Sequence, residues 1–360
     1  MALRPGLPGS IGVSDGAAAK PLARLLPHGI DWRIPLALAA TYASFGSGPA
    51  GARAALDTLP PLLLVGIRGI VAGAVLFLWS RATGAPRPTR RHWLAALGIG
   101  LLILALGAGG GTFGQQTVPS GIAGVMSGLL PIVAACLGYL LFRERPARRA
   151  LIGLVIGVAG LGLLLRPGAD LDPFGVTLLV ASQCAWALGA VLAPRAGLPD
   201  DPRLAAGMEL LCGGAVLLAA ASLMGDVTGL DWHAVSTQSW LGLGWLILTA
   251  VVGFTAFGFL AANVTPSVAT TFSYVNPVVA LGLGWLLFAE PLTWQAMLAT
   301  AIVVAGVCLI VSAKSDTQHP MTSGHGHRRF IVSTPPSTPP SAEGQAPAPA
   351  GPRRMTEAGP

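Results

Sequence analysis

Arg68 and Glu209 are the two ionisable side chains that lie well inside long apolar runs of this 360-residue chain. A charge held at depth in lipid is costly, and marks a functional site by default. The two stand 141 positions apart, in stretches that align with each other: GIRGIVAGAVLFL over 66–78 and GMELLCGGAVLLA over 207–219. A guanidinium there could hold an anionic group, and a carboxylate could carry a coupling proton. A structural Arg–Glu bridge is the other reading. Depth speaks against a direct bridge. Arg68 lies ~10 Å below the outer start of its run and Glu209 ~8 Å above the inner start of its own, at 1.5 Å per residue. In a core ~30 Å thick that leaves ~12 Å between them.

Two prolines repeat in the same way. Pro131 and Pro277 sit 146 positions apart inside apolar runs. A proline there lacks the N–H that would bond the carbonyl four residues back. The carbonyls freed are those of Ser127 and Ser273. Such groups in lipid must face protein or a watery cavity, so each proline marks either a packing kink or a hinge in a cavity wall. Trp186 lies mid-run. With Tyr42, Phe45, Gln183, Asn263, Tyr274 and Asn276 it is a candidate to line a cavity, though each taken singly also reads as packing.

Other chemistries are poorly served. No His lies in an apolar run and only one acid does, so neither HExxH nor paired Asp is available at depth, and GxSxG and P-loop contexts are missing. The sequence therefore predicts no catalytic residue, no cofactor and no metal. His319, His325 and His327 make only a faint metal tract. Cys136, Cys184, Cys212 and Cys308 lie in apolar stretches without CxxC spacing and read as small core hydrophobes.

The elements that must position these residues follow from composition. The chain is 53% hydrophobic and 10% charged, against about 25% charged in soluble domains. Lipid is the natural solvent for it. Apolar spans are expected at 34–52, 61–80, 93–113, 119–142, 147–165, 174–193, 204–224, 240–262, 266–288 and 292–312. Of the 22 Lys and Arg, 19 fall in the arm, the tail and alternate loops. That bias predicts both termini in the cytoplasm and an even number of spans. It also turns the net charge of +7 into a topology signal rather than a sign of nucleic-acid binding. Trp32, Trp79, Trp93, Trp232, Trp240 and Trp294 fall near span ends, as an interfacial belt requires. Gly153 and Gly157 form a GxxxG pair, a sign of helix contact.

The halves match beyond the charged pair. Trp93 and Pro119-Ser120 meet Trp240 and Pro266-Ser267 at an offset of 147, and GYLLFRE (138–144) meets GWLLFAE (284–290) at 146. Thr265-Pro266 reads as an N-cap followed by Pro at the first helical position. Five spans per half is an odd number, so the second half must enter the membrane from the opposite side. The expected fold is an all-α membrane protein of ten transmembrane helices in an inverted 5+5 repeat. Its parts are a disordered arm (1–30) without the apolar core of a signal peptide, repeats at 31–166 and 170–313, and a Ser/Thr/Pro-rich disordered tail (314–360).

VTPSVATTFSYVNPVVALGLGWLLFAEPLTWQ, VPSGIAGVMSGLLPIVAACLGYLLFRERP and WALGAVLAPR followed by GMELLCGG resemble the EamA family of the drug/metabolite transporter superfamily, in its YedA-like inner-membrane branch. The resemblance covers roughly 31–313. It implies ten helices in two inverted copies, and export of amino acids, metabolites or amine-like toxic compounds. It also implies an Arg at 68 and, in this branch, an acid at 209. The first span departs from the family's bulky aromatic start, reading Phe45-Gly46-Ser47-Gly48-Pro49-Ala50-Gly51. The expected partners are a small-molecule substrate and the lipid bilayer, with a homodimer left open. A membrane-embedded lipid-modifying enzyme or a pore is the alternative.

Overall fold

Helix starts in this chain are written by proline and short polar caps. Pro61, Pro173 and Pro202 each occupy the first turn, where a missing N–H costs nothing. Asp172 accepts from the N–H groups of Phe174 and Gly175, and Asp201 from those of Arg203 and Leu204. Ser236 caps through the N–H of Ser239 at 3.1 Å.

A computed structural model describes residues 32–143, 147–165, 171–264, 266–269 and 271–317. The expectations for the N-terminal arm, Thr265 and the tail histidines lie outside the described residues. The helices are α1 (Arg33–Gly46), α2 (Gly48–Ala55), α3 (Pro61–Ala82), α4 (Arg90–Gly100), α5 (Gly110–Gly114), α6 (Ser120–Met126), α7 (Leu129–Phe142), α8 (Arg148–Leu164) and α9 (Pro173–Leu192). They continue with α10 (Pro202–Leu223), α11 (Asp226–Gly229), α12 (Thr237–Asn263), α13 (Pro266–Ala269), α14 (Phe272–Phe288) and α15 (Trp294–Thr317). A π-helical stretch, Leu101–Gly109, joins α4 to α5. No strand occurs among the described residues.

Seven helices among the described residues are long and apolar enough to cross a membrane. They are Pro61–Ala82, Arg90–Gly114, Ser120–Phe142, Pro173–Arg195, Pro202–Leu223, Thr237–Asn263 and Trp294–Val311. The other expected spans are shorter or divided: α1 and α2 meet at Ser47, α8 has 17 residues, and α14 has 17 after the short α13. At the C-terminal end, α15 runs to Thr317, past the expected start of the tail at 314.

Small residues set the packing. Gly69 lies against Gly214, Gly73 against Gly207 and Gly66 against Leu218, so α3 and α10 run antiparallel at backbone contact. Gly153 and Gly157 meet Gly306, while Gly160 meets Val303, which makes α8 and α15 antiparallel as well. The GxxxG pair is thus a helix contact. The remaining packing pairs up too: α1 lies on α12 and α14, and α9 lies on the π stretch and α7. In addition, α6 packs on α14.

Candidate functional site

The glycine seam fixes the register of Arg68 and Glu209. With Gly66 facing Leu218 and Gly69 facing Gly214, Arg68 stands level with residues 215–216. Glu209 is then six to seven residues away along the pair, about 10 Å at 1.5 Å per residue. That is close to the ~12 Å expected from loop-to-loop counting. The seam also centres α3 and α10 on each other. Both charges flank the middle of the α3–α10 pair. No ion pair joins them; the side-chain pair formed nearby is Arg203 with Asp201, at 3.5 Å. Arg68 Nε is buried without a hydrogen-bond partner. The structural bridge is therefore not made in this structure.

Asn276 Oδ1 and Gln115 Oε1 are likewise buried without a hydrogen-bond partner among the described residues. Gln115 was not among the sequence candidates, because it follows the end of its apolar run. Tyr42 donates or accepts a 2.6 Å hydrogen bond with Thr271, joining α1 to the turn before α14. Phe45 meets the rings of Phe254, Phe257 and Phe272 at centroid distances of 5.9, 6.4 and 5.0 Å. Trp245 Nε1 donates to Ser47 Oγ at 2.9 Å, where α1 gives way to α2. Trp186 packs on the cluster built by Leu104, Ala105 and Ala108, directly over Gly107. Gln183 is half-buried on the same helix, and Tyr274 packs against the cluster containing Val303 and Val307.

Three expectations need correction. Asn263 does not line the interior: it is exposed, and its amide donates to Phe259 O one turn back. The carbonyl of Ser127 is not freed by Pro131, because α6 ends at Met126 and Leu130 N donates to Ser127 O at 3.1 Å. A turn absorbs the proline there. Pro277, by contrast, sits inside α14, where it offers Ser273 no N–H. Cys136 and Cys184 are exposed rather than core residues.

At the membrane surface Asp172 does more than cap α9. Its Oδ2 also accepts the Thr117 hydroxyl at 2.7 Å. That hydroxyl, the Gly175 N–H and the Phe174 N–H together hold the carboxyl below the ordinary aspartate value.

Sequence comparison matches the chain twice to the EamA-like transporter family, over residues 32–166 and 173–312. The chain is 35% identical over 288 residues to the uncharacterized inner membrane transporter YedA of Escherichia coli K12, covering 78% of this chain and 92% of that protein. The uncharacterized transporter YvbV of Bacillus subtilis 168 is 25% identical over 288 residues, covering 79% of this chain and 93% of its own. A solved crystal structure superposes with a TM-score of 0.57 at 19% identity, over 79% of this chain and 99% of that one. That likeness concerns the fold alone.

Proposed function

This chain belongs to the EamA-like transporter family and is a membrane transporter; on that premise we propose that it exports small metabolites, amino acids or amine-like toxic compounds across the inner membrane by alternating access. The observation that carries the reading is the antiparallel α3–α10 pair. Its equivalent positions, Arg68 and Glu209, flank the middle of the helix pair without each other for a partner. A charge kept there unpaired has a use only if something arrives to meet it.

The architecture proposed is ten spans in two inverted five-helix repeats, 31–166 and 170–313, with both termini cytoplasmic. Equivalent helices that pack antiparallel support inversion, as do α1 on α12 beside α9 on the π stretch. In this reading the divided α1–α2 and α13–α14 each cross as one unit. Arg68 receives an anionic group of the substrate, and Glu209 carries the coupling proton. Tyr42, Phe45, Gln183, Trp186, Tyr274 and Asn276 shape the path, while Pro131, Pro277, Ser127 and Ser273 form its bending points.

The substrate is found by a metabolite and toxicant screen on deletion and overexpressing strains, followed by flux in sealed vesicles. Saturable flux supports the transporter; product formation or unsaturable conductance would point to the enzyme or the pore. Glu209→Gln should abolish pH-driven flux while Glu209→Asp keeps part of it, and Arg68→Ala should raise the apparent KM. A Glu209→Gln variant with the wild-type pH profile removes the proton role. Reporter fusions near residues 85 and 145 should read as cytoplasmic, and near 55, 115 and 230 as periplasmic.

A further inference from the structure

Glu290 binds a helix start that belongs to the other repeat. It follows the last turn of α14, where Ala289 adopts left-handed backbone at φ 52°. Few non-glycine residues do so, and here the turn redirects the chain toward α6. Glu290 Oε1 accepts from the Ser120 N–H at 2.7 Å and from the Ser120 hydroxyl at 2.8 Å. Its Oε2 accepts from the Gly121 N–H at 2.8 Å. No ion pair with Glu290 occurs among the described residues. The unpaired N–H groups and positive end of the helix meet the charge instead.

The surroundings are cut to fit the carboxylate. A Cβ at Gly284 would strike Oε2, and one at Gly121 would stand 3.2 Å from it. Beneath these bonds α6 and α14 are close-packed, Gly124 against Ala280. Beside them lies a cavity of about 290 Å³ lined by Ile122, Leu164, Leu281 and Glu290. The three bonds thus sit at the end of a tight seam between the two repeats, next to open space. The sequence repeats the pattern 146 positions earlier: Arg143 is also left-handed, at φ 58°, and is followed by Glu144, which lies outside the described residues.

We propose that Glu290 is a latch that keeps the outer end of the α6–α14 seam shut and must release Ser120 and Gly121 when the outer face opens. The inference rests on the orientation and alternating access proposed above. Rigid motion of one repeat against the other has to part residues held by both. A cap within one repeat would carry no such requirement.

The test needs no substrate. Full-length protein with its four native cysteines replaced and Ile122→Cys introduced is sealed in right-side-out and inside-out vesicles, then labelled with a membrane-impermeant maleimide. Glu290→Gln should raise the labelling rate from the outside by about tenfold or more, as expected when a charged hydrogen-bond partner is lost. Gly284→Ala keeps the charge but displaces the carboxylate, and should act in the same direction. Ser120→Ala, which removes one of three donors, should raise labelling less. An unchanged rate in Glu290→Gln and Gly284→Ala would reduce Glu290 to a cap. A rise from the inside only would overturn the outer assignment. If Glu290→Gln fails to fold, Gly284→Ala and Ser120→Ala decide on the same readout. Since labelling is independent of flux, a failed latch leaves the transporter reading standing.

Discussion

Two regions related by the repeat are filled in opposite ways. On one side Phe45 of α1 meets Phe254 and Phe257 of α12 and Phe272 of α14, and Tyr42 bonds Thr271. Carried through the offsets of 141, 147 and 146, the matching positions are Trp186, Gly107, Gly110 and Met126, with Gln183 for Tyr42 and Val125 for Thr271. Four rings and a hydroxyl bridge on one side correspond to one ring over glycines on the other. The backbone follows suit. The glycine side is where the helix widens into the π stretch Leu101–Gly109, while its counterpart α12 stays α-helical over 27 residues. Equivalent scaffolds therefore do not make equivalent interiors. A cluster of interlocking rings resists bending, whereas π geometry is frequent at functional sites.

The sharpest way to break this comparison is to remove a ring from each side. Phe45→Ala should cost about 3 kcal/mol, the usual scale for deleting a packed phenylalanine. Trp186→Ala should cost less, since Gly107 beneath it offers a flat surface rather than interlocking rings. Thermal unfolding in detergent measures both. Equal losses would mean that the two ends are plugged alike.

Adding a ring tests the same point from the other side. Gly107→Phe installs in the first repeat what Phe254 supplies in the second. A Cβ at Gly107 would already stand 3.1 Å from Leu102 O and 3.3 Å from Trp186. Overpacking of this kind costs about 2 kcal/mol. The predicted outcome is a lower unfolding temperature with the fold retained. A stabilised variant would show that the glycine side has room the contacts deny.

Much of the architecture could be read before any coordinates. Apolar runs found the helices, and the constant offset exposed the repeat. What escaped was whatever depends on a second segment. Apolar periodicity does not separate bonding to i+4 from bonding to i+5, so Leu101–Gly109 gave no warning of its π geometry. The register of α3 on α10 is set by glycines that face each other, Gly69 against Gly214 and Gly73 against Gly207, and no apolar run announces it. The Ser127 carbonyl was expected free because a proline was assumed to lie inside an unbroken helix; a turn at 127–128 removes that premise. Glu290 was visible only as a repeated letter in GWLLFAE. Its three donors are about 170 residues away in sequence.

The polar bridge is the next point of contrast. Tyr42→Phe removes the bond to Thr271 and should cost about 1 kcal/mol. Gln183→Leu removes the matching side chain, for which no hydrogen bond occurs among the described residues, and should cost close to nothing. Paired thermal melts check this. A loss at Gln183 as large as at Tyr42 would place a bonded partner on the glycine side as well.

The smallest expected effect lies at the surface. Thr117 bonds the Asp172 cap, while the position matching Thr117 in the second repeat is Val264, which has no hydroxyl to offer. Replacing Thr117 by Val therefore makes the first repeat resemble the second. The hydroxyl is the leading reason that the Asp172 carboxyl sits below its ordinary value. A lowered carboxyl contributes stability above its unfolded-state value, near pH 3.9, and loses it as the pH falls through the folded value. Thr117→Val should thus melt slightly lower than the parent at pH 7. Its own pH-dependent contribution is smaller, because the carboxyl relaxes toward the ordinary value. The gap should close as the pH is lowered through the folded value, once both carboxyls are protonated. Asp172 is open to water, so the difference is small and screened by salt. Melting curves from pH 7 to pH 2.5 decide the matter. A gap that persists undiminished in acid would mean that Thr117 holds the loop by packing rather than through the ionised cap.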